Sequence, residues 1–237
     1  MGALAPLVAV VLVAEFGQYW PEAVRGSHAI GEVVRNLAYA LIGALIFNWI
    51  IVELPERRRR RAAYEYNKVA MEVLITVGAA SIAEYRHLHP AGPAALDAWR
   101  RESVAGCARA IAALNPLYFG PERAGMLQTI IFGVRTALDG MKGVQLLLDA
   151  DVAHALALFP SDVGLNQLQV TRDNRGHVPP ERDAHIVWEL LEGSRRLYRA
   201  LRRNVPEMSL NLGQSVLSDG TVVEALEADL LRPGDLK

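Results

Sequence analysis

The sequence predicts an all-α protein in two parts: a two-helix transmembrane hairpin over residues 1–56 and a cytoplasmic α-helical bundle domain over 57–237. Three observations predict it. Leu37 to Val52 contains one amide, Asn48, and no charge. Extended to Asn36 and Leu54, this run of ~19 residues covers a ~30 Å hydrocarbon layer at ~1.5 Å rise per residue. It ends in Pro55, Glu56 and five consecutive arginines, Arg57 to Arg61. Arginine at a helix centre costs ~2.5 to 3.5 kcal/mol to insert, so this block stops transfer and stays on the cytoplasmic side. Beyond it, apolar residues recur at helical spacing through most of the chain.

Composition narrows the classes. The 237 residues carry a formal net charge of -1, so no global field draws the chain to nucleic acid, and no nucleic-acid partner is expected. From Arg57 onward 23 Lys and Arg stand against 21 Asp and Glu, so the basic character is local to the arginine block. That suits contact with anionic lipid headgroups. Cys107 is the only cysteine, which excludes an intramolecular disulfide and a multi-cysteine zinc site and fits a reducing compartment. In the Ala-rich run GCARAIA it reads as a small buried hydrophobe.

The first helix of the hairpin is Gly2 to Trp20, about 19 apolar residues with Tyr19 and Trp20 as an interfacial anchor and Pro21 as the stop. Glu15 lies a little over one turn inside that anchor. It must be protonated, lean to the headgroups or face the partner helix. A cleaved signal peptide is the rival reading, but no basic region precedes the apolar run and no small-x-small site follows it. The loop 21–35 has only Arg25 and Arg35 as cations. Charge asymmetry then places that loop outside and both termini in the cytoplasm, giving a multi-pass protein of a bacterial-type inner membrane.

In the second helix, 36–54, Ala40, Ala44 and Asn48 recur at four-residue spacing, which lets backbones approach closely and an amide bond across the contact. Ala5, Ala9, Val13 and Gly17 form a similar ridge. The short connection favours joining the two ridges within one chain. The alternative is that Asn48 joins subunits of a homo-oligomer.

Ala62 to Leu88 reads as helix continuous with the membrane helix through Pro55, where a kink is expected. It has so few polar positions that it should be largely buried. A third crossing over 69–83 is too short, at ~15 residues, and carries Glu72. His87 to Pro93 is a turn, and Ala94 to Leu114 a helix closed by Asn115-Pro116. Pro121 and Glu122 suit a helix first turn. An apolar face then runs from Met126 to Phe159, with a break near Gly140 among three weakening glycines. Residues 161–180 form an irregular loop, and Glu181 to Asn204 an amphipathic helix through Ile186, Val187, Leu190, Leu191, Leu197 and Leu201. A last helix is expected over Val222 to Leu231.

Three groups of residues are candidates for chemistry. Arg57, Arg58, Arg59, Arg60 and Arg61 are placed for topology and headgroup contact. Arg172 and His177, with four residues between them, resemble the active-site motif of HEPN-type RNases, small all-helical proteins in which arginine and histidine act on the scissile phosphate. The resemblance covers those two positions only, and Gly176 with Pro179-Pro180 points to a loop where that family has a helix. The alternative is a solvated surface loop. Asp151/His154 and His185/Glu189 share helix faces, as a bundle metal site requires, but the Glu-x-x-His pairing of such sites is absent, and surface ion pairs are the simpler reading. No glycine-rich phosphate loop, nucleophile elbow or zinc-protease helix occurs, so no cofactor is expected. The function expected is a partner-binding, sensor or assembly module at the cytoplasmic face, working with a protein partner or as a homo-oligomer. The alternatives are a membrane-tethered hydrolase or nuclease using Arg172 and His177, and a membrane-perturbing oligomer lined by Glu15 and Asn48.

Overall fold

The computed structural model describes residues 27–92, 101–159, 176–212, 214–216, 222–224 and 230. The expected helix 2–20, with Ala5, Ala9, Val13, Glu15 and Gly17, lies outside the described residues, as does Arg172. The described elements are helix α1 (Ser27–Asn48), a π-helical segment (Trp49–Glu53), α2 (Leu54–Leu88), α3 (Arg101–Leu114), α4 (Pro121–Met141), α5 (Ala150–Ala157), α6 (Pro180–Asn204) and two short strands, β1 (Gln214–Val216) and β2 (Val222–Glu224). Tight 3-10 turns occupy Pro116–Phe119 and Gln145–Leu147. Among the described residues the fold is thus all-α apart from one short antiparallel strand pair. It divides into two compact units, Met1–Ala62 and Ala63–Lys237.

Among the described residues one helical run, Arg35–Leu88, contains a stretch long and apolar enough to cross a membrane, and 6% of that stretch is buried. The covered side of α1 passes through Ala38, Ile42 and Leu45, while Ala40, Ala44 and Asn48 are exposed. Pro55 explains the π-helical segment that follows. Proline has no N–H for the carbonyl four residues back, and its ring collides with that carbonyl. Widening the preceding turn removes the clash, and the Leu54 N–H reaches five residues back to the Trp49 carbonyl.

The second unit is built on α2 and α6, which run antiparallel. The Ser194 hydroxyl donates within reach of both the Leu74 carbonyl, 2.7 Å away, and the Leu190 carbonyl, 2.8 Å away. Gly78 permits that approach, since a Cβ there would lie 2.7 Å from the Leu190 carbonyl oxygen and 2.8 Å from Leu191 Cα. Met71, Leu74 and Ile75 of α2 meet Leu127, Ile131 and Met141 of α4, Val152 and Leu156 of α5, and Ile186, Leu190 and Leu197 of α6 in the main core. A second cluster joins Ile82 and Tyr85 to Val104, Cys107 and Ile111 of α3 and to Val187 and Leu191.

The helix after the arginines is largely buried, as expected, with Tyr66 and Val69 on its open side at 82% and 69% exposed. Two expectations are corrected. Residues 27–35, expected in the loop 21–35, belong to α1, which starts at Ser27. Val222 does not open a helix. Val222, Val223 and Glu224 pair antiparallel with Val216, Ser215 and Gln214. Adjacent β-branched valines favour the extended chain. The break near Gly140 falls after Met141, where α4 gives way to a turn.

Candidate functional site

Three charged side chains lie on the buried faces of helices at one end of the second unit. Glu84 comes from the last turns of α2, Arg123 from the first turn of α4 and Asp183 from the first turn of α6. Pro121 begins α4 with φ already set for a helix, so Arg123 projects inward one turn before Leu127. Pro180 does the same for α6 and Asp183. The positive end of the α6 dipole favours the Asp183 carboxylate there.

Arg123 donates from Nε to Asp183 Oδ2 at 2.7 Å and from Nη2 to Asp183 Oδ1 at 2.9 Å. Its Nη1 donates to Glu84 Oε2 at 2.8 Å. The remaining carboxylate oxygens are also met. Tyr118 Oη donates to Glu84 Oε1 at 2.7 Å, and Tyr85 Oη donates to Asp183 Oδ1 in a short contact. The guanidinium carbon lies 5.1 Å from the centre of the Tyr118 ring and 5.8 Å from that of Tyr85, within cation–π range.

The electrostatics follow from depth and pairing. Burial works against the Arg123 charge, but the Asp183 carboxylate and its hydrogen bonds hold the guanidinium protonated well beyond the ordinary arginine range. Burial, followed by the Asp183 carboxylate, pushes the Tyr85 hydroxyl far above its usual ionisation. Burial does the same to Tyr118, with Arg123 opposing and Glu84 reinforcing. Both phenols therefore stay neutral donors. An arginine whose fork is filled by a carboxylate has little left for an incoming phosphate, and tyrosines held neutral are poor bases. The cluster is a clasp joining α2, α4, α6 and the 3-10 turn.

Beside the clasp is an open groove of about 340 Å³ lined by Ala112, Pro116, Phe119, His177, Val178, Pro179 and Pro180. The Val178 N–H bonds the Phe119 carbonyl at 2.9 Å, tying the segment before α6 to the turn before α4. His177 is exposed at this groove. No family model, curated protein or solved structure matches this chain.

The other expected residues are dispersed. Glu189 pairs with Arg101. Arg196 donates to the Leu158 carbonyl, so the end of α5 meets α6 seven residues past Glu189, ~10 Å further along the helix at ~1.5 Å per residue. Asp151 and His154 point from α5 at that distant end, apart from His185 and Glu189. Among the described residues no three His, Cys, Asp or Glu side chains form a metal-holding group. Arg57 to Arg61 are exposed, with Arg57 paired to Glu53 at 3.3 Å and Arg60 to Glu56 at 2.5 Å.

Sequence reasoning missed Glu84, Tyr85, Tyr118 and Arg123. A signal was available: Arg123 continues the stripe of Leu127, Val134 and Leu138 toward the helix start, and Asp183 continues that of Ile186, Val187 and Leu190. A charge in register with a buried face needs a buried partner.

Proposed function

We propose that this chain is a multi-pass protein of a bacterial-type inner membrane that holds an all-helical domain at the cytoplasmic face as a partner-binding, sensor or assembly module. One observation carries the reading. Apart from Ala38, Ile42 and Leu45, the apolar side chains from Leu37 to Val52 are exposed, with Leu37, Phe47 and Ile51 at 61%, 65% and 55%, and five exposed arginines follow Glu56. In water such a surface is costly at roughly 25 cal/mol per Å² of apolar area. In lipid it costs nothing, and the arginines meet anionic headgroups. The second unit has its own core, and the buried charges of Glu84, Arg123 and Asp183 are spent on one another in the clasp, which supports a binding or assembly role for the domain.

The test is fractionation of cells expressing the full chain, with a reporter fused at Lys237. The expected result is retention in membranes through alkaline carbonate washing, release only by detergent, and a reporter active on the cytoplasmic side. A freely soluble product, or a reporter active outside, overturns the proposal.

A further inference from the structure

The uncharged stretch from Leu37 to Val52 carries one amide side chain, Asn48. It is exposed, on the side of α1 that also carries Ala40 and Ala44, whereas the covered side passes through Ala38, Ile42 and Leu45. The amides of Asn67 and Asn204 donate to the carbonyls of Ala63 and Ala200, one turn back on their own helices, at 2.7 and 2.9 Å. Asn48 does not fold back in this way, and among the described residues its side chain has no hydrogen-bond partner. The ridge of Ala40, Ala44 and Asn48 is thus open, with an unpaired amide at its end.

In lipid that amide is deep. Charges bound the stretch at Arg35 and Glu53. Glu53 lies five residues beyond Asn48, ~7.5 Å at ~1.5 Å per residue, and Arg35 thirteen residues before it, ~20 Å. The Cα–Cβ bond of a helical residue tilts toward the helix N-terminus, so the Asn48 side chain leans away from the nearer boundary and toward the bilayer centre. Asparagine also lacks the long stem by which lysine and arginine reach the headgroups. Hydrocarbon offers its N–H donors and its carbonyl no partner, and an amide left unpaired there is costly.

We propose that Asn48 joins two copies of this chain within the membrane, each amide donating to and accepting from the other across a two-fold axis. The inference rests on the membrane reading of the Leu37–Val52 helix. The occupant is a second copy because every copy inserts with its arginine block on the same side. Two such helices lie parallel and bring their Asn48 side chains to the same depth. An amide carries both a carbonyl acceptor and N–H donors, so it is complementary to itself in the way a two-fold contact requires. Ala44 and Ala40, open on the same ridge, let the two backbones approach closely enough for the amides to meet. Repulsion between the two arginine blocks opposes the contact. Arg57 is paired with Glu53 at 3.3 Å and Arg60 with Glu56 at 2.5 Å, and the block lies in water, where salt screens the remaining charge.

The experiment uses the full chain carrying Cys107→Ala, in membranes of the expressing cells washed with alkaline carbonate. Single cysteines are placed at Ala44→Cys on the open ridge and at Ile42→Cys on the covered side, and are oxidised with copper phenanthroline. The expected result is a membrane-retained chain that forms a cross-linked dimer through position 44, about tenfold more than through position 42. Adding Asn48→Leu should lower the dimer at position 44 about tenfold, the scale of one or two interhelical hydrogen bonds. Asn48→Gln keeps the amide and should retain most of the dimer. A membrane-retained chain with no cross-link at position 44 overturns the inference and leaves the anchor standing. Equal cross-linking at 42 and 44, or a dimer at 44 unchanged by Asn48→Leu, means that copies meet without the amide and also overturns it. A chain released by carbonate overturns both the inference and the membrane reading.

Discussion

Arg123 grips Asp183 through two parallel hydrogen bonds, 2.7 and 2.9 Å long, at a depth where their side chains are 2% and 0% exposed. Removing one member of such a pair leaves an uncompensated buried charge, a loss of roughly 3 to 5 kcal/mol. Arg123→Leu is expected to destabilise the second unit by about that amount in thermal unfolding followed by circular dichroism. The uncharged combination Arg123→Met, Glu84→Gln, Asp183→Asn should recover much of the loss, since no unpaired charge remains. A near-neutral Arg123→Leu would show that the clasp is not a stabilising element.

Gly78 and Gly133 both lie within helices, but their surroundings differ. A Cβ at Gly78 would press on the Leu190 carbonyl and Leu191 Cα of α6, at 2.7 and 2.8 Å, whereas a Cβ at Gly133 meets nothing within 4 Å. Alanine brings ~1 kcal/mol of helix propensity at either site, and forced overpacking costs ~1 to 3 kcal/mol. Gly133→Ala should therefore raise the unfolding midpoint and Gly78→Ala lower it. Equal shifts in the same direction would mean that α2 and α6 do not meet at Gly78.

Alkaline pH should loosen the second unit. Cys107 ionises at about 11 in the fold because burial disfavours the thiolate, against an ordinary value of 9.0. Burial raises Tyr85 and Tyr118 as well. For groups raised in this way, the stabilisation is complete below the unfolded value and is lost as pH climbs through the folded one. The midpoint of the wild-type chain should fall more steeply than that of Cys107→Ala between pH 9.0 and about 11. Above that range Tyr85→Phe should flatten the remaining decline. Parallel profiles for wild type and Cys107→Ala would show that the thiol is solvated.

Much of the helical order was legible along the chain. The α6 span differs by one residue from the expected Glu181 to Asn204, and all six apolar residues assigned to its inner side are buried. The α3 stop at Leu114 and the α4 start at Pro121 follow from Asn115-Pro116 and Gly120-Pro121, local features that no distant contact needs to supply. The uncovered face of α2 and the clasp were not legible in the same way. Val69 and Val73 are aliphatic like Leu74 and Ile75, and only the packing of α4, α5 and α6 distinguishes the two faces. Val222 to Glu224 was misread because a three-residue strand has no periodicity of its own and takes its extended form from pairing with Gln214–Val216.

By itself the sequence determined where α3 ends, where α4 begins and where α6 runs, and that a long uncharged span meets a wall of arginine. Helix ends and hydropathy are properties of neighbours along the chain, so they need no folded context. Only the tertiary structure decided which charges are buried, that Glu84, Arg123 and Asp183 share one clasp, and that Asp149 bonds Tyr64. Those facts depend on residues tens of positions apart becoming neighbours, and burial, which sets whether a charge is cheap or costly, is a property of that assembled surface.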